Sequence, residues 1–220
     1  MKTVLIAGAT GLVGSECLAR LLGDPGYERV VALVRRPLPH TDPKLEQRVI
    51  EFDRLGAAGV DFPSATDVFC CLGTTMRQAR SQQAFRQVDF TYVVALAAQA
   101  LDHGARQFLL VSSLGANPKA PFFYSRVKGE TEAAIAALPF EAKQIFRPSI
   151  LLGARAESRP GERAGIVAMR GASFLMVGPM RKYRPIAAAT VAEAVVRVAR
   201  KAPRGVNIYE SNDIERAARD

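Results

Sequence analysis

Lys2-Thr-Val-Leu-Ile-Ala7 leads without a break into Gly8-Ala-Thr-Gly11-Leu-Val-Gly14. An apolar run of strand length ends in three evenly spaced glycines, and a helical pattern over residues 12–22 follows. Glycine permits a tight turn, close backbone approach to a ligand, and close packing of the new helix against the sheet. The first amides of that helix lack intrahelical partners and favour a pyrophosphate. In this strand–turn–helix setting Gly8, Gly11 and Gly14 predict a dinucleotide site; a purely structural turn is the competing reading.

Working outward, short apolar runs alternate with longer helical patterns. Strands are expected at residues 3–7, 30–34, 49–52, 68–71, 108–111 and 142–146, with a last short one at 206–209. Helices are expected at 12–22, 82–101, 124–138 and 191–200, with another over 167–175. Residues 154–165 read as a surface loop beside the ligand, and Pro185-Ile186 as a turn. This alternation predicts an α/β, Rossmann-type, mostly parallel sheet with helices on both faces. The 220 residues suffice for one substantial core, so a single domain over 1–220 is expected, with a small substrate-facing part embedded at about 150–190.

The second strand runs into Arg35-Arg36, where an NAD-selective site presents a carboxylate to the adenosine ribose. Guanidinium groups pair with the extra ribose phosphate of NADP, so the expected cofactor is NADPH/NADP, with Arg35 ahead of Arg36. Two solvent-facing cations are the plainer alternative. Asp53 is a candidate acceptor for the adenine amino group, or else a cap or turn residue. After the fourth strand, Leu72, Gly73 and Thr74 can bring backbone and hydroxyl groups against the cofactor, or Thr74 and Thr75 cap the next segment.

The fifth strand ends in Ser112-Ser113, and a later helix carries Tyr124 and Lys128. Four-residue spacing puts phenol and ammonium on one helical face. Reduction of a carbonyl needs a proton for the oxygen as hydride reaches the carbon. Tyrosine can give that proton, but its ordinary pKa near 10 makes the reverse step difficult. A neighbouring lysine and a positive nicotinamide favour tyrosinate. Lys128 can also hold the nicotinamide ribose. Ser113 would orient the substrate oxygen, with Ser112 on the supporting side of the strand. The competing reading is a retained but noncatalytic arrangement.

Composition sets the outer limits. A 49% hydrophobic and 23% charged chain is ordinary for a globular protein. No apolar run reaches the roughly 18 residues of a membrane span, and the N-terminus does not resemble a signal peptide, so a cytoplasmic protein without a transmembrane segment is expected. Cys17, Cys70 and Cys71 suggest neither a disulfide framework nor, with His40 and His103 at unhelpful spacing, a metal site. The net charge of +9 attracts anions in general. Its arginines are scattered and carry no nucleic-acid motif, so nucleic acid is not the expected partner.

These residues resemble the atypical and extended short-chain dehydrogenase/reductase superfamily. The glycine turn, Asp53, Gly73, Ser112-Ser113 and the tyrosine–lysine pair carry the likeness in order. Phe146-Arg-Pro148, Leu152-Gly153 and Arg184-Pro-Ile186 extend it over nearly the whole chain. More narrowly, Cys71-Leu-Gly-Thr-Thr75 and Val127-Lys-Gly-Glu130 look like the Tat-interacting oxidoreductase branch and its bacterial relatives. The resemblance implies an NADPH-binding, oxidoreductase-like protein, with Ser113, Tyr124 and Lys128 in hydroxyl, proton-transfer and cofactor-positioning roles. It also implies Gly8, Thr10, Gly11, Leu12, Val13, Gly14, Arg35 and Asp53 around the dinucleotide. Asp89 departs from the pattern: many relatives have asparagine there.

The candidate substrate edge is Thr75, Arg77, Phe122, Phe123, Ser149, Arg155, Arg159 and Arg181. Phe122 and Phe123 wall an apolar pocket or bury their loop. Three functions remain open from the sequence: reduction of a small carbonyl compound, a noncatalytic NADPH-sensing or protein-interaction module, and nucleotide-sugar epimerase or dehydratase chemistry. The expected partner is therefore a small-molecule substrate or a protein. The helices at 82–101 and 124–138 either pair in a homodimer or cover the sheet within one chain.

Overall fold

The computed structural model describes residues 2–57, 61–153 and 178–220. Its main sheet contains β1 (Lys2–Ala7), β2 (Tyr27–Val34), β3 (Leu45–Val49), β4 (Asp67–Cys70), β5 (Gln107–Val111), β6 (Ala142–Arg147) and β9 (Gly205–Glu210). The spatial order is β3-β2-β1-β4-β5-β6-β9, and every pairing is parallel. β7 (Leu151–Leu152) and β8 (Ile186–Ala187) form a separate two-stranded parallel pair.

Helices lie on both faces, as the alternating pattern predicts. On one, Val13, Cys17, Leu18 and Leu21 of α1 (Leu12–Gly23) and Val191, Val195 and Val198 of α6 (Ala188–Lys201) join Val4 and Ile6. On the other, Val93, Leu96 and Ala100 of α4 (Tyr92–Asp102) and Ile135 of α5 (Phe123–Ala137) join Leu5 and Ala7. Alternate residues of β1 thus feed opposite cores, which is why it reads as one unbroken apolar run. Each fully buried branched side chain contributes about 1.5–3 kcal/mol.

Three elements differ from the sequence reading. The third strand is Leu45–Val49, whereas Phe52–Arg54 forms a 3₁₀ turn that buries Phe52. β3 is an edge strand with one paired neighbour, and its Glu46 and Arg48 serve surface ion pairs, so it lacks an apolar run. The long helix is interrupted: α3 (Gln82–Arg86) passes through a π turn (Gln87–Thr91) into α4. Pro185-Ile186 enters β8 instead of a simple turn. The structure also contains the short helices α2 (Met76–Ala79) and α7 (Ser211–Ala217). The expected loop at 154–165 and helix at 167–175 lie outside the described residues.

The amino ends of the strands are tied by a buried polar cluster. Tyr27 donates to Asp67 at 2.7 Å, and Lys2 pairs with the same carboxylate oxygen at 3.1 Å. Nearby, Asp24 accepts from Arg200 at 2.7 Å and from the Gly26 amide at 2.8 Å. Burial, then the charge of Asp67, pushes the Tyr27 phenol well above its ordinary range. A raised native value means that stability is full below the unfolded phenol's pKa of about 10, and is lost as pH rises beyond it while the native state keeps its proton. Tyr27→Phe should cost about 1–3 kcal/mol at neutral pH by leaving Asp67 short of a donor. Urea melts should show that gap narrowing above about pH 10, because the variant lacks this titration. A constant gap would refute the linkage.

Candidate active site

The carboxyl ends of β1, β4 and β5 run into the glycine turn, Leu72-Gly-Thr74 and Ser112-Ser113. Gly8 follows β1 at φ +86°, and a Cβ there would stand 2.4 Å from the Cys71 carbonyl oxygen. The Gly11 amide closes the turn by donating to the Gly8 carbonyl at 3.0 Å. Gly14 packs so tightly that a Cβ would lie 2.0 Å from that same oxygen. Gly11 caps α1 without a side-chain hydrogen bond, and the first turn contains no acidic residue. Those amides therefore face an edge that suits an anion. Thr10 is exposed there. Val13 is 4% exposed within the core and has only its amide to offer. Half-buried Leu12 lies against Gly153, where a Cβ would come within 2.9 Å of its Cδ2.

Arg35 and Arg36 are exposed beyond β2. The charge of Arg35 is felt at Tyr92, the first residue of α4, whose phenol is pushed up mainly by burial and by its bond to Asp53. Tyr92 donates to Asp53 Oδ1 at 2.6 Å, and Gln87 donates to the same oxygen at 3.3 Å. Asp53 is exposed within its 3₁₀ turn. Tyr92, which the sequence reading missed, thus orients the carboxylate proposed for adenine. An aromatic three residues after Asp89, inside the helix expected at 82–101, was the available signal.

Between Gln87 and Tyr92 in the chain, Asp89 enters a buried ion pair that lies beneath Gly73. Lys128 Nζ is 2.8 Å from Asp89 Oδ1, with the lysine side chain 8% and the aspartate 0% exposed. The Thr74 amide donates to Asp89 Oδ2 at 2.8 Å. Gly73 is exposed, and a Cβ there would approach Asp89 Oδ1 at 3.4 Å and Lys128 Nζ at 3.6 Å. Thr75 caps α2, accepting from the Gln78 amide at 3.2 Å. Leu72 packs on the α4-side core. Burial alone lowers the Lys128 pKa, but Asp89 and then Tyr124 outweigh it and hold the ammonium above the usual lysine range.

Tyr124 occupies the first turn of α5, half-buried, its ring centroid 5.3 Å from that of Phe85. Its hydroxyl has no hydrogen-bond partner among the described residues, whereas Tyr27, Tyr92 and Tyr209 donate to Asp67, Asp53 and Gln144. The 114–122 loop is pinned to α5. The Asn117 amide donates to the Ser125 carbonyl at 3.0 Å, and Arg126 donates to the Ala120 and Pro121 carbonyls. Gly129 permits this contact, since a Cβ would stand 2.2 Å from Asn117 C. This fixes the tyrosine's helix against the loop that begins at Ser113.

Half-buried Ser113 makes one long contact, 3.3 Å, to the Leu114 carbonyl. Ser112 is buried and donates to Glu132 at 2.5 Å. Glu132 in turn pairs with Arg147 through two guanidinium nitrogens. This strut under the site was missed. Its signal was a carboxylate four residues after Lys128 on an alanine-rich helix.

The candidate substrate edge divides. Phe122 is 77% exposed, while Phe123 packs on Phe85. Ser149 receives nothing from the site: its amide donates to Ser211 Oγ and its hydroxyl to the Arg184 carbonyl. Arg181 pairs with Glu215 at 3.3 Å. Arg155 and Arg159 lie outside the described residues. Burial pushes the Cys70 thiol up to about 12, and a bond to Cys17 together with burial raises Cys71, so neither is a thiolate nucleophile at neutral pH. A cavity of about 460 Å³ between Arg20, Ile186, Thr190 and Arg219 contains none of the predicted site residues.

A family described as NAD(P)H-binding matches residues 8–151. Protein HTATIP2 of Rattus norvegicus is 39% identical over 164 residues, covering 73% of this chain and 67% of that protein. The protein named fmp52, mitochondrial, of Aspergillus fumigatus is 37% identical over 172 residues, 74% of this chain and 73% of its own. Among solved structures, human epimerase family protein SDR39U1 with NADPH aligns with a TM-score of 0.64 at 20% identity, over 95% of this chain and 74% of its own. MoeE5 in complex with UDP-glucuronic acid and NAD aligns with a TM-score of 0.71 at 19% identity, over 94% and 75%. These two solved structures share the fold.

Proposed function

This chain belongs to the NAD(P)H-binding family, and from that premise we propose that it is an NADPH-dependent oxidoreductase that reduces a small carbonyl compound, with Tyr124 as proton donor. The observation that carries the reading is the hydroxyl of half-buried Tyr124, unbonded among the described residues, one helical turn before a buried lysine. A structural tyrosine at such a position usually spends its hydroxyl on a protein acceptor.

The residues present fit a dinucleotide. The uncapped first turn of α1 receives pyrophosphate, and Gly8 and Gly14 hold the turn where side chains would close it. When bound, the reduced nicotinamide supplies a hydride to an electrophilic carbon. Ser113 donates a hydrogen bond to the substrate carbonyl oxygen, and Tyr124 delivers the proton to it. Lys128 holds the nicotinamide ribose, and exposed Phe122 offers an apolar wall to the substrate.

Arg35 selects the phosphorylated cofactor. Arg35→Glu should reduce the preference for NADPH over NADH by about 10- to 100-fold, read as the ratio of the two dissociation constants. An unchanged ratio would remove Arg35 from the site. The function is tested by NADPH oxidation across a panel of ketones, aldehydes, quinones and enones. Substrate-dependent oxidation supports the reductase. NADPH binding that alters affinity for a protein partner, with no turnover on the panel, would replace it with the sensing module.

A further inference from the structure

Lys128 does not act alone: its ammonium is matched by a carboxylate that is entirely buried. Asp89 owes its position to the π turn Gln87–Thr91, a local widening that recurs at functional sites. The Thr131 hydroxyl of α5 lies 2.8 Å from the Asp89 carbonyl and 2.8 Å from the Val127 carbonyl, so it shares its proton between the turn and the helix that carries Tyr124 and Lys128. The carboxylate is held from two directions, by Lys128 on Oδ1 and by the Thr74 amide on Oδ2. Such an arrangement fixes a negative charge beside the lysine rather than letting it turn to solvent.

We propose that Asp89 is a positioning residue that cancels the charge of Lys128, so that Tyr124 retains its phenolic proton and the site is set for reducing a carbonyl rather than oxidising an alcohol. Among the described residues, the groups that act most strongly on Lys128 are Asp89 from the π turn, Tyr124 from its own helix and Cys70 from β4. Cys70 stays a neutral thiol at working pH. Glu132, one turn further along α5, is engaged by Arg147, and Glu130 by Arg86. Asp89 is therefore the charge opposing the lysine. An unopposed ammonium one turn away would draw the proton off the phenol, as the reverse reaction requires. The matched pair presents no net charge. In the forward step the hydride passes from NADPH to the carbonyl carbon and the phenolic proton to its oxygen, giving an alcohol, NADP⁺ and a phenolate that regains its proton from water.

This inference rests on Tyr124 as proton donor, and its test works with or without turnover. Phenolate absorbance of Tyr124 is followed against pH as the difference between each protein and the same protein carrying Tyr124→Phe. Asp89→Asn should move the onset of that signal to lower pH by at least about one unit, because the phenolate then forms beside the Lys128 ammonium with no carboxylate opposing their attraction. Where turnover is measurable, the alkaline limb of kcat/KM for reduction should move with it. Asp89→Asn combined with Lys128→Met removes both charges and should titrate within about half a unit of the wild type. That double variant also keeps the test open if the single one does not fold, since it buries no unmatched charge. An unmoved or higher onset in Asp89→Asn, or a double variant departing further than that from wild type, overturns the proposal. Failure to reduce any carbonyl would instead sink the oxidoreductase reading and leave the charge balance measurable.

Discussion

Gly14→Ala is expected to weaken NADPH binding by at least about 100-fold, the larger part of it through distortion of the turn rather than loss of any contact. The added methyl would stand 2.0 Å from the Gly8 carbonyl oxygen, 2.8 Å from its carbon and 3.1 Å from Ala9 Cα. All three are backbone atoms, so no side chain can rotate away. The turn cannot retreat, because Gly8 itself is pressed against the Cys71 carbonyl behind it. Relief must come from lifting α1 off the sheet, which breaks the Gly11–Gly8 hydrogen bond and moves the first-turn amides of α1, where the proposed pyrophosphate site lies. Overpacking of this kind costs about 1–3 kcal/mol, so the thermal midpoint should fall as well. Gly11→Ala separates the two effects. Its methyl meets only the Gly8 oxygen, at 3.3 Å, so affinity lost there with little loss of stability would report crowding of the ligand itself. Gly23→Ala has open space around it and should bind like wild type. Fluorescence titration and thermal melts on the three variants decide the matter. A Gly14→Ala protein with wild-type affinity would show that the turn does not hold the cofactor.

The same turn explains how much of the molecule could be read from its residues. β1 and the glycines are legible because strand burial on both faces and a backbone collision at Gly14 leave few side chains that fit. α6 is legible because its valines recur with helical spacing against α1. The third strand was misplaced because an edge strand needs no apolar run: Glu46 and Arg48 look like loop residues until the neighbouring Arg29 is seen beside them. Asp89 was visible as a departure from the family pattern, but its consequence was not. Nothing in Val88-Asp-Phe-Thr91 reveals a π turn, and only that turn, with Thr131 reaching across from α5, sets the carboxylate against Lys128. Ser112 shows the limit more sharply. Two adjacent serines after a strand must face opposite ways, so one supports and one serves. Which carboxylate supports the buried one depends on packing between α5 and β6, and Glu132 and Arg147 are 15 residues apart in the chain.

Tyr124→Phe should lower kcat by about 10²- to 10⁴-fold while leaving the NADPH dissociation constant within about twofold of wild type. The loss corresponds to about 3–5 kcal/mol of transition-state stabilisation. Two features make the substitution a clean one. The ring keeps its contact with Phe85 and its place in the first turn of α5, because phenylalanine has the same shape. The deleted hydroxyl bonds to no described residue, so no buried acceptor is orphaned and the thermal midpoint should not move. Tyr27→Phe makes a useful contrast, since there the hydroxyl is tied to buried Asp67 and the cost falls on stability instead. The comparison assigns one tyrosine to chemistry and the other to the fold by opposite readouts. If Tyr124→Phe turned over at the wild-type rate, the proton would have to come from elsewhere, and the oxidoreductase reading would lose its donor. If kcat and cofactor affinity fell together, the residue would be acting through packing at the dinucleotide edge and not on the reacting oxygen.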